Sequence, residues 1–294
     1  MMLSVVIATR DRAEFLSRAL ESLAAQRDAP AFEVIVADNG SSDGTAEVVA
    51  TYERSGRLPV RRVDVPEPNR GAARNRGIEV AQGQVVVFVD DDVWLPERFL
   101  AAHAHAHRGV LPRAVSGPIL NIPSYGDHPK PAPFNYSAAF FCTCNVSVPR
   151  ASLLEVAGFD ERFHLYGWED TELGLRLRRH GVQRGFAWDA YLYHIKPAAT
   201  ETLDVVAGKT IERAQMAARL LDKDRGLRTR LATGAYGPNL WRARLFAPAW
   251  LQPVYRSLAQ SERLPRPLRD LARAQFLDVT YTNALRRALA GHAD

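Results

Sequence analysis

Residues 85–92 read Val-Val-Val-Phe-Val-Asp-Asp-Asp. Five apolar residues in a row, mostly β-branched, predict a strand buried on both faces, because a half-exposed strand would alternate polar with apolar. Three aspartates follow with no spacer. Such a run is costly to hold in one place, and a divalent cation with oxygen ligands, Mg²⁺ or Mn²⁺, relieves the repulsion most simply. The alternative is a solvated acidic turn that caps the helix expected near Pro96. Position past the end of a central strand favours the cation, since open α/β sheets bind ligands at the carboxyl ends of their strands.

Working outward, Leu3 to Ala8 and Phe32 to Ala37 are two more buried strands, with a weaker one near Val60 to Val65. Between them, apolar residues at helical spacing predict helices over Arg12–Gln26, Thr45–Tyr52 and Gly71–Ala81. Strands alternating with helices imply a mainly parallel sheet flanked by helices. Thr9, Asp38 and the Asp90–Asp92 run then converge on one sheet edge. Further on, strands are expected over Phe140–Val148 and Phe186–Tyr193, and helices over Arg150–Ala157 and Thr171–His180.

Composition sets bounds. The chain has 294 residues, 47% hydrophobic and 24% charged, the balance of a globular protein rather than a disordered one. No apolar run approaches the roughly 20 residues that cross a bilayer, and the N-terminus carries no secretory signal pattern. A cytoplasmic location is expected. The charge is uneven: residues 201–294 hold 16 basic and 9 acidic side chains, whereas residues 1–200 hold 22 and 24. This divides the chain into an acidic-leaning part over 1–200 and a basic, helical extension over 201–294. Nothing points to nucleic acid as a partner. In the extension, Trp241, Phe246, Trp250 and Tyr255 interleave with Arg242, Arg244 and Arg256. Two readings stand: peripheral contact with anionic lipid at the inner membrane face, or amphipathic helices packing on the first part or on a second subunit, making a homo-oligomer.

Several residues offer chemistry. Gly167-Trp168-Glu169-Asp170 puts two carboxylates beside a large aromatic. A carboxylate there serves as general base and a Trp ring stacks on a sugar; acidic residues favouring a helix dipole explain the segment as well. His194, at the end of a strand, is a metal ligand or an ordinary polar terminus. Asn69 to Asn75 opens a helix with Arg70 and Arg74, which suits phosphate or a capped surface helix. His103, His105 and His107 lack a third ligand and are expected on an exposed helix face. Cys142 and Cys144, expected on a strand, read as small core residues with no metal partners.

The order of VVIATRDR (5–12), VIVADNGSSDGT (34–45), NRGAARNRG (69–77), VVVFVDDD (85–92), NVSVPRASLLEVAGFDE (145–161) and GWEDTELGLRLRRHG (167–181) resembles the family 2 glycosyltransferases, from about Leu3 to Pro197. The resemblance implies a GT-A (Rossmann-like) α/β fold and transfer of a sugar from a nucleoside diphosphate, with inversion, to an acceptor hydroxyl. It implies Thr9, Asp11 and Asp38 around the donor base and ribose, with Arg74 and Asp91 also on the donor side. Asp90 and Asp92 match the ends of a DxD motif, with Asp92 the direct metal ligand and His194 completing the site. Asp170 matches the catalytic base, and Trp168 and Glu169 the acceptor side. A UDP-sugar donor, Mn²⁺ or Mg²⁺, and a saccharide or lipid-linked acceptor from cell-envelope polysaccharide or glycolipid synthesis are expected.

Three rivals are weaker. A sugar nucleotidyltransferase wants a Gly-rich phosphate loop after the first strand, where this chain has Ala8-Thr9-Arg10-Asp11, and a dehydrogenase fails the same test. A non-catalytic nucleotide-sugar-binding protein has no need of intact Asp90–Asp92 and Glu169–Asp170.

Overall fold

A computed structural model describes residues 1–65, 68–109, 111–197, 201–239, 241 and 248–291. The chain divides into two compact units. The first comprises Met1–His164 and Glu169–Ala199; the second comprises Leu165–Trp168 and Thr200–Asp294.

In the first unit, strands β1 (Leu3–Thr9), β2 (Phe32–Asp38), β3 (Val60–Asp64) and β4 (Val85–Val89) pair in parallel in the order β3-β2-β1-β4. The sheet continues through β8 (Asn145–Pro149), antiparallel to β4, then β6 (Arg113–Ser116) and β9 (Gln183–Phe186), seven strands in all. Helices α1 (Ala13–Ala24), α2 (Thr45–Ser55) and α3 (Arg70–Val80) connect the parallel strands. The period-2 alternation of β4 explains its unbroken apolar run. Val85, Val87 and Val89 join the cluster containing Leu16, Leu20 and Leu23 of α1, while Val86 and Phe88 join the opposite cluster with Ile78 of α3. The second face is completed by Leu173 and Leu177 of α6 (Glu169–Arg179). This is the α/β, mainly parallel GT-A architecture.

A smaller sheet in the same unit has the order β5-β10-β7, built from β5 (Val93–Trp94), β10 (Leu192–Ile195) and β7 (Ile119–Ile122). Two expected strands differ for one reason, the loss of a neighbour. Val89 pairs with Asn145, so the expected strand over 140–148 finds no partner before Asn145 and runs as turns until β8. The expected strand over 186–193 is divided, because its two ends serve different sheets. Ala187 N–H bonds Ser116 O at the end of β9, and Leu192 N–H bonds Pro118 O at the start of β10.

The crossing is tight at Gly117, where an added Cβ would stand 1.8 Å from the backbone oxygen of Ala190. Backbone cannot rotate away as a side chain does. Gly117→Ala is expected to cost about 1–3 kcal/mol or more, read as a lower urea midpoint. Gly126→Ala, where an added Cβ meets nothing within 4 Å, is the control; equal midpoints would refute the packing argument.

The histidines correct their expectation. On α4 (Phe99–Ala106) only His105 is exposed. His103 is fully buried, bonded to Ser147 Oγ and Asn145 Oδ1, and His107 shares Ser147 Oγ. Burial pushes their pKa values down to about 3 and about 4, so both are neutral and structural. Their i, i+4 spacing marks a face turned inward to β8.

The second unit is helical: α7 (Leu203–Lys223), α8 (Leu227–Thr233), α9 (Gln252–Gln260) and α10 (Arg266–Gly291). Ala214, Ala217, Ala218 and Leu221 of α7 pack with Leu285 of α10, small residues permitting close approach. No helix among the described residues is long and apolar enough to cross a membrane. Trp241 and Trp250 are exposed, and Arg256 pairs with Asp204 at 2.8 Å. Phe246, Arg242 and Arg244 lie outside the described residues.

Candidate active site

β1, β2 and β4 run in register, so their carboxyl ends deliver Thr9, Asp38 and the aspartate run to one edge. Past Val89 the chain bends at Asp91 and Asp92, and of the three aspartates only Asp91 is buried. Asp91 turns inward, where its carboxylate accepts from Thr9 Oγ1 at 2.7 Å and Arg12 Nη1 at 2.8 Å. Burial pushes the Asp91 pKa up, against the pull of Arg12 and Thr9. Asp92 also accepts from Arg12 Nη1, at 2.6 Å, and stands 3.2 Å from His194 Nε2. Against burial, His194 and Arg12 together hold Asp92 below the usual carboxylate range.

The second sheet explains how residue 194 reaches residue 92. β5 pairs antiparallel with β10, His194 opposite Val93, and Ile195 N–H bonds Asp92 O at 2.8 Å. Asn121 of β7 then fixes the imidazole, accepting from Nδ1 at 3.0 Å. When the ring is neutral, that bond leaves the Nε2 lone pair facing the Asp92 carboxylate. Two acceptors so placed suit a cation between them, and a backing hydrogen bond on the far nitrogen is the usual support of a ligating histidine. The residues therefore fit a divalent cation.

A second group of charges gathers on α6. Asp170 is partly buried; its Oδ2 accepts from Thr143 N at 2.8 Å and Thr143 Oγ1 at 3.0 Å, and Oδ1, shielded from solvent, has no hydrogen-bond partner among the described residues. Burial raises the Asp170 pKa to about 6, against the attraction of Arg74. Arg74, 8% exposed, joins the two groups: Nη2 is 3.6 Å from Asp90 Oδ1 and Nη1 is 3.6 Å from Glu169 Oε1. Its guanidinium also lies 5.7 Å from the ring centre of Phe159. Surrounding carboxylates keep it cationic despite burial.

On the other side of Thr9, the loops after β1 and β2 are cross-braced. Asp11, at φ +51°, accepts from Ser42 N at 2.7 Å, and Asp38 accepts from Ser41 N at 2.9 Å. The Ser42 N–H lowers the Asp11 pKa. Arg62 of β3 lies 3.4 Å from Asp38 Oδ2, and Asn39 Oδ1 accepts from Asn69 N at 2.7 Å.

The profile of Glycosyl transferase family 2 matches residues 4–139, and that of the N-terminal domain of galactosyltransferase matches residues 129–217. Between them they cover every site residue named in this subsection. Residues 4–139 thus carry the glycosyl transferase family 2 pattern. The chain is 33% identical to validoxylamine A glucosyltransferase of Streptomyces hygroscopicus subsp. limoneus over 222 residues, covering 62% of this chain and 49% of that one. It is 27% identical to chondroitin synthase of Escherichia coli over 253 residues, covering 71% of this chain and 37% of that one. The chain thus spans about half the length of curated relatives it matches. Among solved structures it resembles mannosyltransferase PcManGT from Pyrobaculum calidifontis in complex with GDP-Man and Mn²⁺. The TM-score is 0.63 at 19% identity, over 99% of this chain and 88% of that one. It likewise resembles S. aureus TarS 1-349 in complex with UDP-GlcNAc, with TM-score 0.58 at 19% identity, over 99% and 92%.

In this chain Trp168 is already engaged. It belongs to the second unit, where its Nε1–H bonds Arg213 O at 2.8 Å and the Arg213 guanidinium lies 5.3 Å from its ring centre. Its φ of +74° follows Gly167 at +94°, a corner that bulky residues rarely adopt. Sequence reasoning missed Arg12, Thr143, Asn121 and Arg62 as partners of site residues. Each acts through a contact remote in sequence, such as the 80 residues between Arg12 and Asp92, and no local spacing reveals that.

Proposed function

We propose that this chain is a nucleotide-sugar-dependent glycosyltransferase that works by single displacement with inversion, with residues 1–200 as its catalytic domain. The observation that carries the reading is Arg74. One buried cation reaches both the DxD side, at Asp90, and the base side, at Glu169 and Asp170. Donor diphosphate and acceptor hydroxyl are the two partners such an arrangement brings together.

Asp170 takes the proton of the acceptor hydroxyl as its oxygen attacks the anomeric carbon, and the bond from that carbon to the diphosphate breaks. Its Oδ1, unclaimed by any protein donor, is the accepting atom, and Thr143 holds Oδ2. Glu169 positions Arg74 on the acceptor side, and the Gly167–Trp168 corner sets the entry to α6. Asp90, Asp92 and His194 would hold Mn²⁺ or Mg²⁺, which when bound neutralises charge on the leaving diphosphate. Thr9, Asp11 and Asp38 frame the donor base and ribose, with Asp91 bracing Thr9 and Arg12 from within. A UDP-sugar is the first donor to try; the relatives named above handle both UDP- and GDP-sugars. The acceptor is a saccharide or a lipid-linked one. Exposed Trp241 and Trp250 favour peripheral membrane contact as the route to a lipid-linked acceptor, and absence of co-flotation with anionic vesicles at low salt would remove it.

A thermal-shift screen of nucleoside diphosphates with Mn²⁺ tests the reading. A ligand held only by the folded state at 100 times its Kd adds about 2.7 kcal/mol of stability. At least one diphosphate should raise Tm with Mn²⁺ and lose most of that effect in EDTA. No shift with any diphosphate would defeat it.

A further inference from the structure

Cys144 is buried in the core cluster that holds Val89 and Val93, yet its sulfur has polar neighbours. The turn closed by Asn145 N–H to Cys142 O at 3.0 Å carries it past the end of β4, beside the aspartate run. There its sulfur, a carboxylate oxygen of Asp90 and a ring nitrogen of His194 all lie within 4.8 Å of one another. Donors bound to one ion at about 2.0–2.3 Å stand roughly 3–4 Å apart, so a small rotation closes the group. Asp92 Oδ1 lies 3.2 Å from His194 Nε2, beside but outside this group. The group itself offers one sulfur, one nitrogen and one oxygen.

We infer that Cys144 is a sulfur donor in the cation cradle of Asp90, Asp92 and His194, and that it makes the site prefer Mn²⁺ and thiophilic divalent ions to Mg²⁺. The inference rests on the cation site proposed above. Its chemistry is that of ligand softness. Mg²⁺ takes oxygen and keeps its water, whereas imidazole and thiolate suit later, more polarisable ions. A cation neutralises the cradle's carboxylates, the sulfur binds as thiolate, and the thiol proton leaves to solvent.

The chain has two cysteines, so single variants resolve the sulfur. Cd²⁺ titrated into the full chain reports thiolate binding through its ultraviolet sulfur-to-metal charge-transfer band. Wild type and Cys142→Ser should show the band and release a proton; Cys144→Ser and Cys144→Ala should not. Both Cys144 variants should keep the wild-type far-ultraviolet circular dichroism spectrum, which verifies their fold. Their affinity for Mn²⁺ should fall by about 10-fold or more, the scale on which even outer-shell losses act, while Mg²⁺ affinity changes little. No band in wild type, or a band that survives in Cys144→Ser, overturns the inference. If UDP binding depends on Mn²⁺ and no band forms, only the sulfur donor is lost. If wild type binds no diphosphate with Mn²⁺, the cation site itself is lost.

Discussion

Asp170→Asn should lower sugar transfer by about 10²–10⁴-fold, the range for loss of a general base, while donor binding stays near normal. The substitution keeps the shape that Thr143 grips and removes the basicity. Glu169→Gln should do less, because Glu169 acts through Arg74. Two pH effects follow from burial of this carboxyl. Its pKa stands near 6 rather than 3.8, so kcat/KM should fall about tenfold per pH unit below that value. The stability effect runs the opposite way. A carboxyl with a raised folded-state pKa is fully accommodated below the unfolded value, and that stability is lost as pH rises through the folded value. At pH 7 the ionised Asp170 therefore costs stability, and Asp170→Asn should melt higher than wild type, with the gain shrinking as pH falls from 6 towards 4. A less active variant that is also more stable is what a functional carboxylate held at structural expense produces. Near-normal turnover in Asp170→Asn, or greater damage from Glu169→Gln, would take the base role from Asp170.

Asp92→Ala should abolish the metal-dependent part of nucleoside diphosphate binding, weakening it more than about 100-fold, beyond what loss of an outer-shell partner brings. The loss removes the carboxylate oxygen that stands 3.2 Å from His194 Nε2. Asp91→Ala should behave differently. Asp91 is 5% exposed and tied to Thr9 and Arg12, so its removal strands a buried hydroxyl and should register first as a lower Tm. Calorimetry with Mn²⁺ and then with EDTA separates the two. Unchanged diphosphate affinity of wild type in EDTA would deny the cation any part in binding.

The parallel half of the fold is legible because each strand is buried on both faces and so reads as an unbroken apolar run. Val85–Val89 is the plainest case, and its abrupt end in three aspartates marks the ligand edge. The antiparallel half is harder. β8 and β9 are short, change neighbours and derive their limits from pairing, as the Val89–Asn145 register does, so local pattern overran them. Site residues followed a similar division. Asp38 and Asp90–Asp92 stand out as candidates because polar groups follow the ends of apolar strands, whereas Asp170 and His194 stand out only through the family resemblance. What holds them does not stand out. Arg12, Thr143 and Asn121 look like ordinary loop or helix-start residues until the chain folds. The alternating histidines misled because a His-Ala repeat looks polar, whereas hydrogen bonds to Ser147 and Asn145 let His103 be buried. Charge marks a change of composition near residue 200, but the inclusion of Leu165–Trp168 in the second unit depends on packing alone.

The most direct test of single displacement is the anomeric configuration of the fresh product, read by proton NMR coupling during turnover with Mn²⁺ and a donor chosen from the thermal-shift screen. The product should carry the configuration opposite to the donor's, since Asp170 draws in the acceptor from the face away from the diphosphate. Retention of the donor's configuration would contradict the account, because it requires two successive inversions and leaves Asp170 without the role assigned to it.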